Sequence, residues 1–201
     1  MSLIITKETY DEPEFNIRAA LRYAACTEDS PDMVTLAKEC FEEVRSALSY
    51  KVCYTKLSAD ISGGICDFGV FKIDSEKLSK NLEGCREVIL FAATIGASFD
   101  RIIQKYSRIS PARAVMVQAI GAERVEALCN TFCKDAEKHY GRKLKPRFSP
   151  GFGDLFLHVQ KDIFSVLDCP KQIGVSLNDS LLMSPSKSVT AFVGITDRGA
   201  L

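Results

Sequence analysis

Tryptophan is absent from the sequence, histidine occurs only twice, and the eight cysteines form no CxxC pair. Neither His139 nor His158 falls in an HExxH pattern or beside a cysteine pair at zinc spacing, which excludes the common zinc sites. Neither sign of charge is in excess: 26 basic and 26 acidic residues give a net charge of zero. Nucleic-acid binders draw much of their affinity from neutralising phosphates, so this balance argues against that class. Long apolar runs are also missing. The longest, residues 88–95, is far too short to cross a bilayer, so no membrane span is expected. Residues 1–10 lack the basic stretch, apolar core and cleavage site of a secretory leader, and the protein is expected in the cytoplasm. Gly151-Phe152-Gly153 fails as a dinucleotide fingerprint, because the third glycine would have to replace Phe156.

What remains is the composition of an ordinary globular protein. Of 201 residues, 46% are hydrophobic, enough for a real core, and 26% are charged. The length fits one domain over residues 1–201, with residues 1–49 as a helical segment packed on it. The cysteine count alone would allow a disulfide framework. Several cysteines lie in apolar runs, as Cys129 and Cys133 do, which favours buried thiols in a reducing compartment.

Hydrophobic periodicity orders the elements. Asp11-Glu12-Pro13 reads as the start of one helix and Asp29-Ser30-Pro31-Asp32 as the start of a second, running to about Leu48. Residues 50–57 and 65–73 read as strands, paired as a hairpin across Ser62-Gly63-Gly64. A short helix is expected over 75–81. The unbroken apolar run 87–95 predicts a strand buried on both faces. A helix over 97–109 follows, then the longest one, with Ser110 as N-cap, Pro111 at the first turn and a stop at Gly141. Residues 143–154 are irregular, 159–167 a short helix, and 175–183 and 187–195 two strands around Ser184-Pro185-Ser186. Helices and strands mix without regular alternation, so the fold class is α+β, an antiparallel or mixed sheet with several packed helices.

Four features bear on chemistry. In Arg147-Phe148-Ser149-Pro150-Gly151-Phe152-Gly153-Asp154, a guanidinium able to clamp a carboxylate precedes a loop whose glycines permit close approach of a ligand, with Phe152 as an apolar wall. By composition alone these residues read more readily as a surface turn after a long helix. Ser184 and Lys187 fit a short SxxK pattern, but no KTG follows, and the segment reads better as a turn. Cys129 and Cys133, four apart, read as core packing. Lys138, Arg142, Lys143, Lys145 and Arg147 form a basic cluster suited to an acidic protein or a ligand carboxylate.

Two blocks recur in a known order: Arg147-Phe148-Ser149-Pro150-Gly151-Phe152, then Gly174-Val175-Ser176-Leu177-Asn178-Asp179-Ser180-Leu181-Leu182-Met183-Ser184-Pro185-Ser186-Lys187-Ser188-Val189-Thr190-Ala191. They resemble the R-P-A-P-G-Y loop and the later G-M-K-L-T-E-S-F-A-M-x-P-x-x-S-V-S-G segment of the activation (reactivation) domain of cobalamin-dependent methionine synthase. The resemblance covers roughly residues 145–195. It extends upstream to Ala122-Glu123-Arg124-Val125-Glu126-Ala127, which looks like that domain's A-D-R-L-A-E-A helix.

The resemblance implies an activation-domain-like module that serves a methionine synthase in methionine biosynthesis rather than a self-sufficient methyltransferase. In the family this domain binds S-adenosylmethionine. The cob(II)alamin of a stalled enzyme takes one electron, typically from flavodoxin, and is remethylated by that donor. Carried over by position, Arg147 would clamp the donor's carboxylate, Ser149 and Pro150 would shape the loop, and Gly151 and Phe152 would form the adenosyl pocket. Asn178, Asp179 and Ser180 are a secondary candidate site. No Asp-x-His-x-x-Gly occurs, so cobalamin is expected only through a partner: a methionine synthase or related corrinoid protein, with a flavodoxin-like electron donor. The chain departs from the family's pattern in four places. Phe152 replaces a tyrosine, Asn178-Asp179 replaces Thr-Glu, and neither the later Tyr-Tyr strand nor the early Asp-Trp-Thr segment has a counterpart. A docking protein that has lost the donor site is the alternative reading.

Overall fold

The computed structural model describes residues 3–26 and 30–197. Its centre is the apolar run noted above. Strand β6 (Glu87–Thr94) has seven of its eight residues buried, because it lies between β2 (Tyr50–Ser58) and β9 (Ser188–Ile195). With β1 (Thr6–Tyr10) these form an antiparallel sheet in the order β1-β2-β6-β9. Alternation along each strand sends side chains to two separate cores. Val52, Ile89, Phe91, Ala191 and Val193 face one core; Cys53, Val88, Leu90, Ala92 and Phe192 face the other.

The first core is roofed by helices. Helices α1 (Ile17–Tyr23), α2 (Pro31–Arg45) and α4 (Ala97–Ile109) all pack on α5 (Pro111–Tyr140). The second core is covered by α3 (Glu76–Asn81), α6 (Gln160–Leu167), a 3₁₀ turn before α6, and α7 (Cys169–Ile173). A small antiparallel sheet of β3 (Asp60–Ser62), β4 (Ile65–Asp67) and β5 (Lys72–Asp74) adds Cys66 and Ile73 to it. A hairpin of two short strands, β7 (Ser176–Leu177) with β8 (Met183–Ser184), leads into β9. The α+β class expected from sequence is the class observed.

Helix α5 begins at Pro111 after Ser110 and ends at Gly141 in the left-handed conformation, φ 60°, as its capping residues predict. Other expectations need correction. The first helix starts at Ile17, not near Pro13, because the carbonyls of Pro13 and Glu14 accept hydrogen bonds from Arg124 and hold that stretch out of a helix. Asn16 caps it instead, accepting from the Ala19 amide at 3.0 Å. The second helix begins at Pro31; Asp29, offered as part of its start, lies outside the described residues. Residues 50–57 and 65–73 do not pair with each other. β2 pairs with β1 and β6, and the later stretch bends at Gly69, φ +78°, into β4 and β5. Residues 175–183 are not one strand either: Asn178 Oδ1 accepts from the Ser180 and Leu182 amides, and Leu181 takes φ +62°. Strand β1 and helix α7 were not anticipated.

Candidate functional site

Beyond the end of α5 the chain returns along β9. Isolated antiparallel bridges join Leu144 to Ile195 and Phe148 to Phe192. Four steps on the returning chain oppose three on β9, so one extra residue is bulged out. The bulge switches which face a given parity of residue addresses. Leu144 packs with the α5 core, whereas Phe148 is buried in the opposite one. Arg147, immediately before Phe148, therefore projects towards α5.

There its guanidinium is only half used. Nη2 donates to Glu126 Oε2 at 2.6 Å. Nη1 is buried without a hydrogen-bond partner. Among the described residues only two other buried side-chain atoms are so placed, Tyr50 Oη and Asn81 Oδ1, and neither carries a charge. An unmet buried donor costs on the order of 1–3 kcal/mol, more when charged, so such an atom marks a position where a partner is expected. The Cys133 thiol lies alongside: burial pushes its pKa up, and the Arg147 charge opposes that rise.

Glu126 also lines a cleft of about 630 Å³ between residues 13–23 and the outer face of α5. Glu123, Glu126, Asn130 and Lys134 repeat at helical spacing along one wall; Glu14 and Asn16 stand on the other. The two walls are tied by Arg124, which is fully buried. Its Nε and Nη2 donate to Glu123 at 2.5 and 2.7 Å. Nη1 and Nη2 donate to the Pro13 and Glu14 carbonyls at 2.6 and 2.7 Å. Its guanidinium lies 5.1 Å from the Phe15 ring and 5.4 Å from that of Phe41. The sequence reading missed this cleft. Its signal was the adjacent Glu123 and Arg124 amid the apolar positions of a long helix, where charge must find a partner.

The rest of the Arg147 loop lies on the other side of the sheet edge. Phe152 is 67% exposed and meets Phe148 edge to face, with centroids 5.5 Å apart. Gly151 has φ +91° and its amide donates to the Leu155 carbonyl at 2.7 Å, so the loop closes on itself. The Phe152 amide donates to Ser149 O at 3.1 Å, and Pro150 lies within that turn. Asp154 anchors the loop to α3, accepting from Ser75 Oγ at 2.5 Å and the Lys77 amide at 3.2 Å. Ser149, Pro150, Gly151 and Phe152 are thus brought together, while the contacts of Arg147 run to α5. Asn178, Asp179 and Ser180 form the turn of the β7–β8 hairpin, where the Asn178 side chain is spent on backbone amides.

Most of the basic cluster is neutralised locally. Arg142 pairs with Glu87 and Asp197 at 2.6 and 3.2 Å, Lys138 with Asp135 at 3.1 Å and Lys143 with Glu137 at 3.6 Å. Cys129 is buried in the α5 core and Cys133 packs against it. Ser184 belongs to β8 and pairs with Ser176, whereas the Lys187 stem runs to Gly121 of α5. Among the described residues no helix is long and apolar enough to cross a membrane.

No protein-family model matches the sequence, and no curated protein does. Among solved structures the chain is similar to a MetH reactivation domain bound to AdoHcy, with a TM-score of 0.71, 15% identity, and 96% of this chain and 78% of that one covered. At that identity the likeness is one of fold, and the fold of this chain is that of the MetH reactivation domain.

Proposed function

We propose that the chain binds S-adenosylmethionine and its demethylated product S-adenosylhomocysteine, and that it is an accessory module for reactivating a cobalamin-dependent methionine synthase or related corrinoid protein. The observation that carries this reading is the half-paired, buried Arg147 guanidinium, whose partner Glu126 lines a polar cleft. The shared fold with a domain solved holding AdoHcy supports it. A planar guanidinium with an unpaired N–H edge suits a carboxylate, and the amino-acid end of the ligand supplies one. Glu14 and Glu126 would offset its ammonium and sulfonium charges. The cleft volume falls within the roughly 300–1,000 Å³ of small-molecule sites. A ligand reaching from Arg147 to Phe152 would cross the sheet edge over Ser149 and Pro150. The corrinoid, held by the partner, would supply the methyl-accepting cobalt, and a flavodoxin-like protein the electron. The work left to this chain is to hold and orient the donor.

Calorimetric titration with S-adenosylmethionine and S-adenosylhomocysteine tests the reading. Saturable binding is expected, weakened about tenfold or more by Arg147→Ala, as fits loss of a charged hydrogen bond. No binding of either compound at millimolar concentration would sink the donor role. A second reading, docking without a donor, is favoured by one observation: Glu126 already occupies half of the Arg147 fork. It predicts capture of the partner's cobalamin domain, unchanged by Arg147→Ala.

A further inference from the structure

Lys187 follows the turn at Pro185 and crosses to α5. A glycine inside a helix costs about 1 kcal/mol relative to alanine, so Gly121 in the middle of α5 asks for a packing reason. A Cβ there would come within 2.3 Å of the Phe99 ring and 2.9 Å of Lys187 Cε. The glycine is therefore a notch, filled by the Phe99 ring and the lysine stem. Beyond the notch the lysine lines a cleft of about 400 Å³ with Tyr23, Val115, Gln118, Ala119 and Ala122. Tyr23 and Val115 are large hydrophobic residues left 49% and 54% exposed there.

The charge of Lys187 is not met. Among the described residues its ammonium makes no hydrogen bond or ion pair, and only its backbone carbonyl is bonded, to the Ile95 amide at 3.2 Å and Thr94 Oγ1 at 3.5 Å. Asp100, whose charge acts on it, spends its hydrogen bonds on Ser186, accepting from the amide at 2.8 Å and Oγ at 2.7 Å. Burial lowers the Lys187 pKa against the weak opposing pull of Asp100. A cation set over an apolar floor, with no carboxylate bonded to it, is the arrangement that recognises an amphiphilic anion.

From the notch at Gly121 and the unpaired ammonium over the α5 cleft, we infer that Lys187 anchors a binding site for a small apolar monocarboxylate, with the tail lying on Val115, Ala119 and Ala122. Tyr23 borders both this cleft and the one lined by Glu126, but neither Glu126 nor Arg147 lines this one, so the site stands or falls independently of the proposed function.

Octanoate is the probe. Titration calorimetry should show saturable binding of octanoate to the intact chain, with octanol and octylamine weaker by about tenfold or more. This ligand comparison needs no variant. Lys187→Met should remove the preference for octanoate over octanol, and Lys187→Arg should retain it. Absence of saturable octanoate binding overturns the inference. So does equal binding of octanoate and octylamine, or an unchanged preference in a folded Lys187→Met protein.

Discussion

At the scale of single residues, Arg124 shows how a buried charge can be structural. Every direction of its guanidinium is answered, by Glu123, by two carbonyls of the segment before α1 and by the Phe15 and Phe41 rings. Arg147, with one nitrogen buried and unanswered, is the contrasting case. Removing one partner of a buried ion pair leaves the other charged and desolvated, at roughly 3–5 kcal/mol. Arg124→Met should therefore destabilise the protein by that amount in urea unfolding. The double variant Glu123→Leu/Arg124→Met should recover part of the loss, since no lone charge remains. Equal stability of Arg124→Met and the parent chain would contradict this account. Arg147 stood out in sequence only through the resemblance of its block to a known loop, since a basic residue before a Pro-Gly turn is common in surface loops. Its direction was not readable, since that depends on a bulge defined only by pairing with β9. The role of Glu126 was hidden for the same reason: its partner lies 21 positions away.

At the scale of elements, local rules served where the backbone decides and failed where tertiary contacts do. The Pro111 start and Gly141 stop of α5 follow from helix-end chemistry alone. The start of α1 could not be placed locally, because distant Arg124 takes the carbonyls of Pro13 and Glu14. The single reading of 65–73 as a strand overlooked that Asp67 Oδ1 accepts from the Gly69 amide at 2.8 Å and turns the chain. The tie between the Arg147 loop and α3 is likewise long-range. Asp154 accepts the Ser75 hydroxyl and the Lys77 amide, and these bonds hold its carboxyl below the usual carboxylate pKa, the Ser75 bond most of all. A depressed folded-state pKa means that the ionised form favours the fold. Its contribution is complete above the unfolded-state value and is lost as pH falls through the folded-state value. Melting temperature measured against pH should therefore show a gap between the parent chain and Asp154→Asn at neutral pH. The gap should close on acidification below the ordinary carboxylate range. A gap that persists unchanged well below that range would contradict the anchor.

At the scale of the whole molecule, the sheet is a partition between two cores, and its strand order was not open to sequence reading. β6 announces a doubly buried strand, but nothing local says that β2 and β9 flank it or that residues 6–10 close the far edge. The described residues before Tyr50 contribute to both the sheet and the α5 core. They supply β1, which pairs with β2, and Ala20, Leu21, Ala37, Cys40, Phe41 and Val44 of the α5 core. They also supply one wall of the candidate cleft and the carbonyls that receive Arg124. A fragment beginning at Tyr50 would expose the facing side chains of the sheet and leave the Arg124–Glu123 pair open at one side. Burial of apolar surface is the main force for folding, so such a fragment falls below what independent stability requires. One domain over 1–201, with its first 49 residues integral, is thus the organisation we propose. It predicts a single unfolding transition for the full chain, coincident by circular dichroism and tyrosine fluorescence. The 50–201 fragment should show no cooperative melt, and a fragment that melts cooperatively near the temperature of the full chain would mean that the helical segment is an appendage.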